Sequence, residues 1–203
     1  MAVDHFKRHP HPDGSVDWNF NILLGGQPQV DEMAREYGKA FDHPGLYPPI
    51  PVQWLHMTIL RVGYTTEYTD AEMMAVAGQL KPNLAAMRVP ELILGPWMIW
   101  SGNPVLIVTP WDSVEPIFNA VMSAMTNVVG KKRQPHPERF IPHVALAYNR
   151  DYDQEKEVHQ KLWEYPVDPV SFRARNLSMI KQKQEPSYYS WEIVKDIPIG
   201  QVE

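Results

Sequence analysis

Two stretches decide how this chain is read: Gln53-Trp54-Leu55-His56-Met57-Thr58-Ile59-Leu60-Arg61 and Phe140-Ile141-Pro142-His143-Val144-Ala145-Leu146-Ala147-Tyr148. Each has the short, apolar, period-two pattern of a β-strand, and each sets one histidine between apolar neighbours. Alternation sorts the side chains. Leu55, Met57 and Ile59 share one face and suit a core, while Trp54, His56 and Thr58 share the other. In the second stretch Val144 and Leu146 face the core, and His143, Ala145 and Ala147 lie opposite. Proline leads into both, at Pro48-Pro49-Ile50-Pro51 and at Pro142. A weak internal repeat of this kind predicts two imidazoles on facing sheets across one cleft.

Working outward, Trp18–Leu24 alternates aromatic and polar residues as a strand and stops at Gly25-Gly26. Apolar residues three and four apart predict a helix over Val30–Phe41, and others over Asp70–Leu80, Ser113–Val129 and Gln154–Trp163. Further strands are predicted at Glu91–Leu94, Trp97–Trp100, Pro104–Thr109, Val170–Lys181 and Tyr188–Ile197. This order fits an α+β fold with mostly antiparallel sheets. Residues 1–16, with His5, His9 and His11, read as a solvated leader in which no carboxylate or cysteine completes a metal ligand set.

Composition removes whole classes of function. The 203 residues contain no cysteine, which excludes thiol nucleophiles, zinc fingers and disulfide scaffolds. A net charge of -5 argues against a broad basic face for duplex nucleic acid, though not against a small phosphorylated ligand. No apolar run is long enough to cross a membrane, and nothing at the N-terminus resembles a signal peptide, so a cytoplasmic protein is expected. The 20 prolines are dispersed and read as turns and strand ends.

Two histidines across a cleft supply what cleavage of a 2',3'-cyclic phosphate requires. One neutral imidazole takes a proton from water, and the other, protonated, gives one to the departing ribose oxygen. Histidine titrates near 6.5, so both states are accessible around neutrality. A hydroxyl at Thr58 can hydrogen-bond the phosphoryl oxygens where charge builds, and no metal is needed.

Through His56-Met57-Thr58-Ile59-Leu60 and His143-Val144-Ala145-Leu146-Ala147-Tyr148, the chain resembles the 2H phosphoesterase superfamily, which includes 2'-5' RNA ligase-like proteins and cyclic phosphodiesterases. The resemblance runs over roughly residues 17–198. It implies one bilobal domain over 17–203, with two mostly antiparallel sheets facing a central cleft and helices on the outer faces. It also implies a cofactor-free hydrolase, expected as a monomer, acting on a nucleotide or RNA terminus that carries a cyclic phosphate. His56 and His143 would be the acid/base pair and Thr58 a phosphoryl-oxygen donor, with Trp54, Ala145 and Tyr148 against the substrate. The family's second motif carries Ser or Thr where this chain has Ala145. Either another donor substitutes (Tyr148, Lys181, Lys183 or a water) or the protein binds nucleotides or RNA ends without turning them over. Hydrolysis and 2'-5' ligation are not separated by these residues.

Other candidates carry less. His43, His136 and His159 read as turn or surface residues, and Lys131-Lys132-Arg133 as a solvated helix end. Trp97, Trp100, Tyr188, Tyr189 and Trp191 suit base stacking but more commonly form core or cross-strand pairs.

Overall fold

The computed structural model describes residues 4–12, 14–41, 47–131, 133, 135, 140–150, 155–164 and 166–200. His43, His136 and Lys132 lie outside the described residues. Eight strands follow in chain order: β1 (Asp17–Leu23), β2 (His56–Tyr64), β3 (Glu91–Trp100), β4 (Asn103–Thr109), β5 (His143–Ala145), β6 (Val170–Arg173), β7 (Asn176–Gln184) and β8 (Tyr189–Pro198). The helices are α1 (His5–Arg8), α2 (Pro28–Gly38), α3 (Asp70–Ala85), α4 (Glu115–Val129) and α5 (Glu155–Glu164). No helix among the described residues is long and apolar enough to cross a membrane.

The strands form one continuous sheet in the order β6-β3-β4-β5-β2-β1-β7-β8, in place of the two separate sheets expected. The reason is β5. Although it has only three residues, Val144 pairs with Met57 of β2 on one side and with Leu106 of β4 on the other. That residue closes the gap between the two halves, and all the strand pairings among the described residues are antiparallel. The regular strand around His143 is shorter than expected: Pro142 has no amide to donate, and beyond Ala145 the pairing goes on through the Leu146 amide to the Pro104 carbonyl at 3.0 Å and a bridge between Pro49 and Ala147.

One face of the sheet is apolar. Trp18, Phe20, Met57, Leu106, Val144 and Met179 point into a single buried cluster backed by the helices. α3 packs on α4 and on β8, α2 on β6, and α5 on the short turn Lys39–Phe41. A capping box at α3, in which Thr69 and Glu72 satisfy each other's backbone amides, starts that helix.

The opposite face is the polar one, and the sheet curls around it. Trp191 of β8 is in register with Gln182 of β7, two strands from β2, yet its ring lies 5.0 Å edge-on from His56. Only a strongly twisted and coiled sheet brings these together.

Residues 4–12 pack rather than trail as a leader. Phe6 is buried, Asp4 pairs with Arg150 at 2.7 Å, and the His5 amide donates to the Asn149 carbonyl at 2.8 Å. The driving force is apolar burial by Phe6 together with a partly buried ion pair, neither of which is visible locally in the sequence.

Val144 is fully buried between its two strand partners. Val144→Ala removes two buried methyl groups and should cost about 2 kcal/mol, read as a lower urea midpoint at unchanged slope. An unchanged midpoint would contradict the stitching role given to β5.

Candidate active site

The register places the motif residues side by side. Extending the antiparallel pair Met57–Val144 by one residue each way sets Thr58 opposite His143 and His56 opposite Ala145, all on the polar face. The two imidazoles therefore stand on adjacent strands of one sheet, diagonal to each other, and not on facing sheets. The β-strand period put them on one face, and β5 pairing made them neighbours. An approximate two-fold relation runs through Met57 and Val144, and under it each histidine faces the hydroxyl position of the other motif. His143 faces Thr58. His56 faces Ala145, where no hydroxyl stands.

Both rings are held in the same way. His56 Nδ1 lies 2.9 Å from the Trp54 carbonyl, and His143 Nδ1 lies 2.7 Å from the Ile141 carbonyl. A carbonyl oxygen has no proton to give, so each Nδ1 donates and each neutral ring keeps its lone pair on Nε2. In the first motif the accepting carbonyl sits on a short 3-10 turn, Val52–Trp54, capped by Pro51. Gly25, after β1, packs against that turn; a Cβ there would meet the Val52 carbonyl oxygen at 2.6 Å and the Gln53 Cα at 2.8 Å. The absence of a side chain at Gly25 thus keeps the His56 latch in place.

The electrostatics favour neutral rings. Burial pushes His56 down to about 4, helped by the charge of His143, against the backbone bond to Trp54, which raises it. His143 is also lowered by burial, against its bond to Ile141. An anion bound between them would reverse both shifts by favouring imidazolium.

On the His143 side, a cavity of about 590 Å³ is lined by Thr58, Arg61, Phe118, Phe140, Ile141 and His143, and His56 lies outside its lining. A larger space, about 1250 Å³, lies near Arg88, Arg173 and Arg175, but it contains neither histidine. Chemistry and not volume locates the site. On the His56 side Trp54, Tyr188 and Trp191 form an aromatic group: Trp54 and Tyr188 are stacked at 6.4 Å, and Trp54 meets Trp191 edge-on at 4.8 Å. Trp54 is thus near His56 through Trp191, although it lies on the 3-10 turn and not on the strand whose alternation predicts its place.

Arg61 and Asn21 join this face although sequence reasoning did not select them. Strict alternation puts Arg61 with the core residues. A register shift leaves Ile59 unpaired in β2, so Leu60 turns inward and Arg61 turns to the polar face, where its Nε donates to Asp17 at 2.8 Å. The adjacent apolar pair Ile59-Leu60 was the available signal. Asn21 is in register with Thr58 on one side and Ser178 on the other.

Several candidates lie elsewhere. Lys181 is on the core side, its ammonium 2.9 Å from Asp70 and 4.8 Å from the Trp18 ring centroid. The register puts Lys183 on the same side as Lys181, so neither replaces the hydroxyl missing at Ala145. Tyr148 is buried and stacked on His5 at 4.2 Å, with Tyr189 edge-on at 5.4 Å. His5 accepts from the Asn103 amide at 3.1 Å and pairs with the Tyr189 hydroxyl at 3.2 Å; His11 reaches Asp17 at 3.4 Å. These two histidines serve different partners. Trp97 and His159 meet edge-on at 5.1 Å on the helix side of the sheet. Arg133 is paired with Glu72 at 2.6 Å.

A family model described as the 2'-5' RNA ligase superfamily matches residues 27–186. No curated protein matches the chain in sequence. Among solved structures, TT0787 of Thermus thermophilus superposes with a TM-score of 0.67 at 14% identity, covering 90% of this chain and 97% of that one. E. coli LigT in complex with 3'-AMP gives a TM-score of 0.65 at 13% identity, with 91% and 98% covered. LigT in its apo form gives 0.63 at 14% identity, with 92% and 99% covered. At these identities the likeness is one of fold.

The lowered imidazole of His56 has a consequence for stability. Its folded value, about 4, is below the unfolded value near 6.5, so the unfolded chain binds more protons between these limits. The contribution is present above pH 6.5 and is lost as pH falls toward 4. In His56→Gln the urea midpoint should fall less over this window, by on the order of 2 kcal/mol of unfolding free energy. His5, pushed down to about 3 by burial, acts in the same sense and leaves a residual slope. Identical pH profiles for variant and wild type would contradict the assignment.

Proposed function

The chain belongs to the 2'-5' RNA ligase superfamily, and from that membership we propose that it hydrolyses 2',3'-cyclic phosphates, or related ribose phosphodiesters, on nucleotides or RNA ends. The observation that carries the proposal is the matched pair of latched imidazoles, His56 and His143, on neighbouring strands of one face. With Nδ1 tied to a carbonyl in both, Nε2 is the reactive atom of each ring. One neutral Nε2 accepts the proton of the attacking water. The other, protonated once the anionic substrate is seated, donates to the leaving ribose oxygen. The Thr58 hydroxyl, opposite His143, donates to a non-bridging oxygen as charge builds, and Arg61, its guanidinium paired with Asp17, lines the cavity beside it. No step in this scheme requires a metal. That E. coli LigT has been solved with phosphate and with 3'-AMP supports a small phosphorylated ligand.

The second reading, a nucleotide or RNA-end binder without turnover, is favoured by Ala145. The register gives that position a sharper meaning: it is His56, and not His143, that has no hydroxyl opposite it. One kinetic series separates the readings. His56→Ala and His143→Ala should each lower turnover of 2',3'-cyclic nucleotides by roughly 10²–10⁴-fold without unfolding the protein. Ala145→Ser should raise wild-type turnover about fivefold if the added hydrogen bond has the usual net worth of about 1 kcal/mol. A His56→Ala variant that keeps most of its rate would sink the acid/base assignment. No turnover by the wild type or by Ala145→Ser, with nucleotide binding intact, would favour the binder.

A further inference from the structure

β1 contributes a row of polar side chains to the site face that the catalytic scheme does not use. Asp17, Asn19 and Asn21 alternate with Trp18, Phe20 and Ile22, so the strand is buried on both sides. A buried carboxamide is ordinarily bonded at both ends, because an unpaired donor or acceptor away from water is costly. Asn21 is fully buried, yet neither its Nδ2 nor its Oδ1 has a hydrogen-bond partner among the described residues. Asn19, 2% exposed, has an unpartnered Nδ2. Both point to the face that carries His56 and His143.

Their place in the register gives these unpartnered groups a direction. His143, Thr58, Asn21, Ser178 and Asp196 follow one another across five strands on one face. Neighbours in such a row stand about 5 Å apart. Asn21 is therefore one strand beyond the Thr58 hydroxyl, on the side away from His143. Ser178 does not complete it: its one hydroxyl proton goes to Asp196 at 2.5 Å, leaving none for the Asn21 Oδ1, and neither end of the carboxamide is bonded among the described residues.

We propose that Asn21, assisted by Asn19, is a specificity residue that holds the nucleoside part of the ligand whose phosphate sits on His56 and His143. The inference rests on the phosphate-site reading given above. A carboxamide offers one donor pair and one acceptor at a fixed spacing, which suits sugar hydroxyls and the edges of nucleobases. Inorganic phosphate has nothing to place there. The curl of the sheet covers this face. Trp191 of β8 lies against His56, so the aromatic ring of an edge strand covers this face.

The test compares two ligands on three proteins. Affinities for inorganic phosphate and for each of the four nucleoside 3'-phosphates are measured calorimetrically with wild type, Asn21→Leu and Asn21→Ala. Leucine matches the volume and removes an unpaired polar group, so the melting temperature of Asn21→Leu should hold or rise. Asn21→Ala covers the case in which leucine does not pack. The inference predicts that the best-bound nucleoside 3'-phosphate loses at least tenfold in affinity while phosphate stays within twofold. Equal affinities in variant and wild type overturn it. So does an equal loss for both ligands, or a melting temperature that falls in Asn21→Leu with nucleotide affinity kept, since Asn21 is then a structural residue bonded to an internal water. A wild type that binds neither ligand overturns the phosphate-site reading itself, and this inference with it.

Discussion

The pairing of Val144 with both Met57 and Leu106 is the constraint on which the rest of the site depends. It joins the two halves of the molecule into one sheet. It also sets His143 and His56 one strand apart, with the Thr58 hydroxyl on the same face. A slip of one residue in β5 would send His143 into the apolar cluster and Val144 to the polar face. Burial of Val144 and the proline that leads into this short strand make such a slip costly. Two independent halves would need a separate device to hold their histidines in register; a shared sheet needs only three residues.

Each imidazole then depends on a carbonyl two residues before it. That bond selects the tautomer, and it can do so because the backbone ahead of each histidine is shaped by proline: a capped 3-10 turn before His56, and the Ile141-Pro142 step before His143. The close approach of Gly25 to Val52 and Gln53 ties the first latch to the end of β1. Burial favours the neutral form of both rings. Stability is given up in return, since β1 carries buried polar atoms without partners where an apolar strand would fold more securely.

Much of this was legible in the sequence. Period two alone put His56 with Thr58, His143 with Ala145, and both pairs away from the core. The α+β class and most strands and helices followed from the same periodicities. What failed was long-range. Nothing local says that β5 pairs with both β2 and β4, so a cleft between two sheets was expected instead of one curled sheet. The shift at Ile59 moved Arg61 to the site, and the parity of β7, set by its pairing with β1, took Lys181 and Lys183 away from it. Asp4 and Phe6 belong to the fold because Arg150 and the Tyr148–Tyr189 group receive them, and those partners are remote in the chain.

The central claim is that His56 and His143 act on one phosphoryl group through their Nε2 atoms. Nitrogen-15 NMR of the imidazoles during titration with inorganic phosphate tests it most directly. The account predicts that both Nε2 resonances move with a single dissociation constant, that both Nδ1 resonances keep their protonated, hydrogen-bonded shifts, and that the pKa of each ring rises on binding. Movement of one ring without the other, or a bound phosphate that leaves both unchanged, would contradict it.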